Sequence, residues 1–82
     1  MIIQLRILDG VKTPILIVPS ATVTNIGGVK RLIDSALESV SIEERASSIL
    51  SDADIKLLKL QTSWVLITKP VGSYFLELGV GK

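Results

Sequence analysis

Eighty-two residues make one domain, 1–82, with a thin core, yet 48% of them are apolar and the mean hydropathy is +0.55. Such a core cannot hide every Ile, Leu and Val, so a contiguous apolar patch is expected at the surface, and with it an oligomer or an obligate partner. Nine basic against eight acidic residues leave a net charge of +1 with one adjacent basic pair, Lys30-Arg31, a poor footprint for nucleic acid; the lack of Cys excludes disulfides and thiolate metal sites, and the lack of His removes the commonest general base.

Residues 2–8, IIQLRIL, alternate: Ile3, Leu5 and Ile7 face one way, Gln4 and Arg6 the other, the mark of a half-buried strand. The same segment carries no basic stretch leading into an apolar one, as a targeting segment would. Asp9-Gly10 signals a turn, and an antiparallel hairpin is expected across 9–13. Residues 14–19, PILIVP, are the longest apolar run, far short of the roughly 20 residues of a membrane span. These two features set the expectation of a soluble cytoplasmic protein. In this run Ile15 and Ile17 oppose Leu16 and Val18. Both sheet faces should therefore be covered there, by this chain or by another, and the prolines suit strand ends.

Thr24 or Asn25 can cap a helix that starts at Ile26. From there Ile26, Val29, Ile33, Leu37 and Val40 recur at helical steps, widened by Leu32 and Ala36. Ser41-Ile42-Glu43-Glu44 has the spacing of a capping box and predicts a second helical segment over about 42–50. A break at Ser41 and a kinked continuous helix both fit the pattern. Ser51-Asp52-Ala53-Asp54 reads as the stop. Residues 55–61, IKLLKLQ, fit a helix or a strand; the preceding stop and the strand soon after favour a strand.

Thr62-Ser63 is a tight turn, and Trp64 to Thr68 is a strand with apolar residues on both faces. Tyr74, Leu76, Leu78 and Val80 alternate against Phe75, Glu77 and Gly79. Between the two strands lies a turn over 69–73, with Pro70 presetting φ early and Gly72 tolerating positive φ near the end. Trp64 and Tyr74 stand across that turn, at positions that could pair. The sum is ββα(α)βββ, an α+β fold within the broad α/β class: a five-stranded antiparallel sheet with the helical segment between strands 2 and 3 packed on one face.

Little in this order suggests reaction chemistry. Asn25 to Lys30 places two glycines and a lysine at a helix N-terminus, which suits an anion. The segment lacks the phosphate-loop spacing, and a helix start packed close to the sheet accounts for it better. Asp52, Asp54, Glu43 and Glu44 do not follow the ligand pattern of a calcium loop, and the two glutamates suit a helix start. Ser73 near Lys69 has the spacing of a hairpin turn as much as that of a Ser–Lys pair. No catalytic, cofactor-binding or metal-ligating residue is assigned. The expectation is a protein without enzyme activity or cofactor.

The closing segment, Lys69-Pro70-Val71-Gly72 followed by Ser73-Tyr74-Phe75-Leu76, resembles the closing hairpin of the Roadblock (dynein light chain) family, where an apolar strand runs into a "pvg-dy-L" turn. Ile7-Leu8-Asp9-Gly10 is similar to the first hairpin of that family, and the resemblance covers about residues 2–80. It implies a Roadblock-like, profilin-like fold and a homodimer built through the central helix and the strand after it, one sheet running across both chains. Carried onto this chain, the dimer-interface candidates are Val29, Ile33, Ala36, Leu37 and Val40 on the helix and Ile55, Leu57, Leu58 and Leu60 on the strand. The helices that usually flank the family's sheet are missing, which would leave Leu16, Val18, Val65, Ile67 and Phe75 facing a partner.

The function implied is a homodimeric scaffold or regulator that docks a small Ras-like GTPase or a larger protein complex. Two alternatives belong to other classes: a small nucleic-acid-binding dimer, which would need a basic stripe, and a sensor domain binding a small ligand between sheet and helix.

Overall fold

The computed structural model describes residues 1–10, 14–60 and 62–82. Its elements run β1 (Ile2–Leu8), β2 (Pro14–Thr22), α1 (Ile26–Ser39), α2 (Ala46–Ile49), α3 (Asp52–Leu60), β3 (Val65–Val71) and β4 (Tyr74–Gly81). The architecture is α+β. Four strands form one antiparallel sheet in the order β2-β1-β4-β3, and the helices lie on one side of it.

The alternation in β1 sets the two faces. Ile3, Leu5 and Ile7 are buried, and they pair laterally with Val80, Leu78 and Leu76 of β4, which are buried as well. Ile67 and Val71 of β3 extend this row, while Leu16 and Val18 of β2 pack against it. Onto it fall Val29, Ile33, Ala36 and Leu37 of α1, Ala46 and Leu50 around α2, and Leu58 of α3. One closed core thus sits between a sheet face and a helical layer. The opposite sheet face has no helix on it among the described residues.

The closing hairpin is tighter than the sequence suggests. Val71 pairs with Tyr74 across a two-residue loop, Gly72-Ser73, and Gly72 has φ +64°. That loop matches the twist of the flanking strands and wants glycine first. Pro70 therefore lies inside β3, opposite Phe75, rather than in the turn. The closing pair exchanges the ladder hydrogen bonds, so the Pro70–Phe75 pair does not, and the proline nitrogen faces the free edge. Trp64 and Tyr74 fall at opposite ends of the hairpin and on opposite faces, which corrects the expected pairing. The first hairpin's turn lies beyond Gly10 outside the described residues.

β2 is irregular as well. Its pairing steps from Leu5↔Val18 to Ile3↔Ala21, so Pro19 and Ser20 together oppose Gln4, a bulge. Both edges of the sheet, β2 and β3, thus carry proline.

The helical region breaks at Ser41, which has φ +60°. The Ile42 N–H donates to the Leu37 carbonyl at 2.9 Å and the Ser41 N–H to the Glu38 carbonyl at 3.0 Å. These are the two bonds of a Schellman motif, so Ser41 ends α1 instead of capping a second helix. The expected segment 42–50 shrinks to α2, whose first N–H, from Ala46, donates to the Asp34 carboxylate of α1 at 2.7 Å.

The expected third strand over 55–61 is a helix up to Leu60; Gln61 lies outside the described residues. Ser51 is its N-cap. Asp54 N–H donates to Ser51 Oγ at 3.2 Å, and Ser51 N–H donates to Asp54 Oδ2 at 2.9 Å. This is a reciprocal capping box, so the residues read as a helix stop are a helix start. The expected five-stranded sheet is therefore corrected to four strands among the described residues.

Candidate functional site

The uncovered face of the sheet is built by the residues that alternate with the core. Across the two central strands Ile2 stands opposite Gly81, Gln4 opposite Gly79, Arg6 opposite Glu77, and Leu8 opposite Phe75. On the flanking strands Ile17 pairs with Arg6, while Leu66 and Thr68 pair with Gly79 and Glu77. Five large apolar side chains of this face stay open to solvent: Leu66 (60%), Ile17 (59%), Trp64 (51%), Phe75 (44%) and Ile2 (39%). An ordinary half-solvated antiparallel sheet shows mainly polar residues on its wet side, so this face is unusually apolar for one that no described element covers.

Trp64 sits just before β3 and folds over β4. A Cβ built on Gly79 would fall within the indole ring, and one on Gly81 would come 2.9 Å from it. Both glycines therefore leave room for the ring to lie on the strand backbone, and both are buried beneath it. Trp64 as a whole stays about half exposed. At the centre of the face, Arg6 Nη1 donates to Glu77 Oε1 at 3.4 Å across the β1–β4 pair. A shallow recess of about 450 Å³ opens beside Phe75, lined by Arg6, Leu8, Thr68 and Glu77 among others.

Two other polar clusters have structural work to do. Lys69 Nζ lies 2.9 Å from Asp54 Oδ2, tying α3 to β3. Burial pushes the Asp54 carboxyl up, but the Ser51 N–H and the Lys69 ammonium outweigh it and hold the group below its usual value. The cleft at the start of α1 has about 630 Å³ and includes Thr24, Asn25, Gly28 and Arg31. Its Asn25 side chain is used as the cap, accepting from the Gly28 N–H at 2.9 Å. Among the described residues, no three Asp or Glu side chains converge as a metal site would require, and no helix is long and apolar enough to cross a membrane.

The residues singled out from sequence are distributed differently from the expectation. Val29, Ile33, Ala36, Leu37 and Leu58 are core within one chain, and Val40 and Ile55 pack against that core. Of the nine interface candidates, Leu57 and Leu60 of α3 remain exposed. Leu16, Val18, Val65 and Ile67 of the partner-facing set lie on the helix-covered side, and Phe75 lies on the open one. Ile2, Ile17, Trp64 and Leu66 are the members of the open face that sequence reasoning passed over. The signal that could have found Leu66 and Trp64 is the parity imposed by a two-residue Gly72-Ser73 turn.

Comparison with known proteins finds no matching protein family, no matching curated protein and no matching solved structure.

Proposed function

We propose that this chain is a non-enzymatic docking module, which works by covering the open face of its sheet with another protein surface. The observation that carries the reading is the cluster of Ile2, Ile17, Trp64, Leu66 and Phe75 on a sheet face that no helix covers among the described residues. Exposure of this kind marks an interaction surface in a small soluble chain, and aromatic anchors with an Arg among them suit an interface centre. The polar groups support the same reading. Asp34, Ser51, Asp54, Asn25 and Lys69 are used in caps and ties that hold the fold together.

The resemblance to the Roadblock family supplies a partner class, a small Ras-like GTPase or a larger complex. It also supplies a dimer through α1 and the strand after it. That route loses its footing here, because the α1 stripe and Leu58 are spent inside the chain and residues 55–60 are helical. Docking by the open face does not depend on it.

The test is retention from an extract of the native cells by the immobilised chain, compared with a Leu66→Asp/Phe75→Asp variant. Both positions are exposed, so the variant should keep its far-UV spectrum and its melting temperature. The expected result is a set of proteins retained by the wild type and lost by the variant. Identical retention by both would refute the reading.

A further inference from the structure

We infer that one occupant of the open face is a second copy of this chain, packed sheet to sheet about a two-fold axis that runs along the strands between β1 and β4. The inference rests on the docking reading and names the partner and its geometry.

The charge pattern selects the axis. Two sheets that meet face to face in a symmetric dimer are related by a two-fold lying in the interface plane. An axis across the strands at the Arg6–Glu77 level would set Arg6 over Arg6 and Glu77 over Glu77 of the other copy, which is repulsive. An axis along the strands, midway between β1 and β4, instead sets each β1 over the other copy's β4. Arg6 of each chain then meets Glu77 of the other, and the two exposed intrachain pairs become a closed ring of alternating charge. The same operation sets Leu8 over Phe75 and Ile2 over Gly81, where the Trp64 ring lies. Every contact is made twice, as an isologous interface demands.

The shape agrees with this. Four strands of about seven residues give a face roughly 19 Å by 23 Å. Its footprint, about 440 Å², falls below the roughly 600 Å² per partner of the smallest standard interfaces, so the pair forms in a concentration-dependent way. Aligned sheets pack with their strands within about 30° of one another, which an axis along the strands permits. Edge-to-edge growth is disfavoured, since β3 turns the Pro70 nitrogen to its free edge and β2 is bulged at Pro19. A net charge of +1 leaves little repulsion between copies.

Charge reversal tests whether two copies meet at the centre of this face. Light scattering of the wild type across the micromolar range should climb from 8.8 kDa toward twice that mass. Arg6→Glu makes the centre of the face wholly acidic and Glu77→Arg makes it wholly basic; each alone should stay monomeric. Mixed in equal amounts they should form the heterodimer, and the doubly swapped chain should dimerise like the wild type. Far-UV spectra confirm folding of each variant. Should either single variant fail to fold, the wild type still decides, because Trp64 emission should shift to the blue as concentration rises. A wild type that stays at 8.8 kDa overturns the inference, as do single variants that dimerise like the wild type or fail to pair when mixed. A monomeric wild type whose extract partners are still lost on Leu66→Asp/Phe75→Asp would overturn self-association and leave the docking reading standing.

Discussion

Ser41 holds a left-handed backbone conformation, φ +60°, that a side chain with a Cβ adopts at a cost. It does so because the Schellman bonds to Leu37 and Glu38 close α1 there and turn Ile42 back onto the core. Ser41→Gly should therefore stabilise the fold by about 0.5–1 kcal/mol in a urea melt, the strain relieved slightly exceeding the entropy glycine adds to the unfolded chain. Asp54 makes a prediction about pH. Its carboxyl is held below the usual range by Ser51 and Lys69 despite burial. A carboxyl whose pKa is lower in the folded than in the unfolded chain stabilises the fold above its unfolded value, and that share is lost as pH falls through the folded value. Melting temperatures of the wild type should drop as pH falls from just above the ordinary Asp pKa, about 3.9, into the more acidic range. Asp54→Asn should be less stable at neutral pH by about 1 kcal/mol, from the weakened cap. The gap between the two chains should narrow in acid; a constant gap would show that the carboxylate charge contributes nothing.

The elements divide into those with one period and those with two. β1 and α1 were legible because each shows a single clean period, two for Ile3-Leu5-Ile7 and 3.6 for Val29-Ile33-Leu37. Residues 55–60 satisfy both, since Ile55 and Leu58 are one helical step apart while Ile55 and Leu57 alternate. The deciding signal was the box Ser51–Asp54, whose spacing marks a helix start. What makes it a start here is the extended backbone of Leu50, φ −85° and ψ 126°, immediately before it. The strands that bear the candidate site were legible as strands, but their faces were not. Val65, Leu66 and Ile67 are all apolar, so only the length of the hairpin loop fixes which of them points outward. The helical reading of α3 has a sharp consequence. Leu58→Ala should cost about 2–5 kcal/mol, because it empties a core position. Leu60→Ala should stay within about 0.5 kcal/mol, because that side chain is in solvent. Equal effects at 58 and 60, which a strand presenting both on one face would give, would contradict the helix.

At the scale of the whole molecule, the apolar surplus was plain from composition, and its address was not. Composition counts side chains without saying which are spent on the core. The helices consume the α1 stripe and Leu58, and one sheet face consumes the alternating residues of β1 and β4. Apart from Leu57 and Leu60 on α3, the exposed large apolar side chains gather on the other face, around the Arg6–Glu77 pair. The molecule is thus a two-layer body with one apolar sheet face in solvent. Trp64, the one tryptophan in the chain, lies on that face and reports on it directly. Acrylamide quenching of its fluorescence should fall progressively as the chain is concentrated through the micromolar range, with emission moving to shorter wavelength, as the face is covered. Quenching that stays at its dilute value, in a chain whose far-UV spectrum shows it folded throughout, would mean that this face remains open to water and would contradict self-association through it.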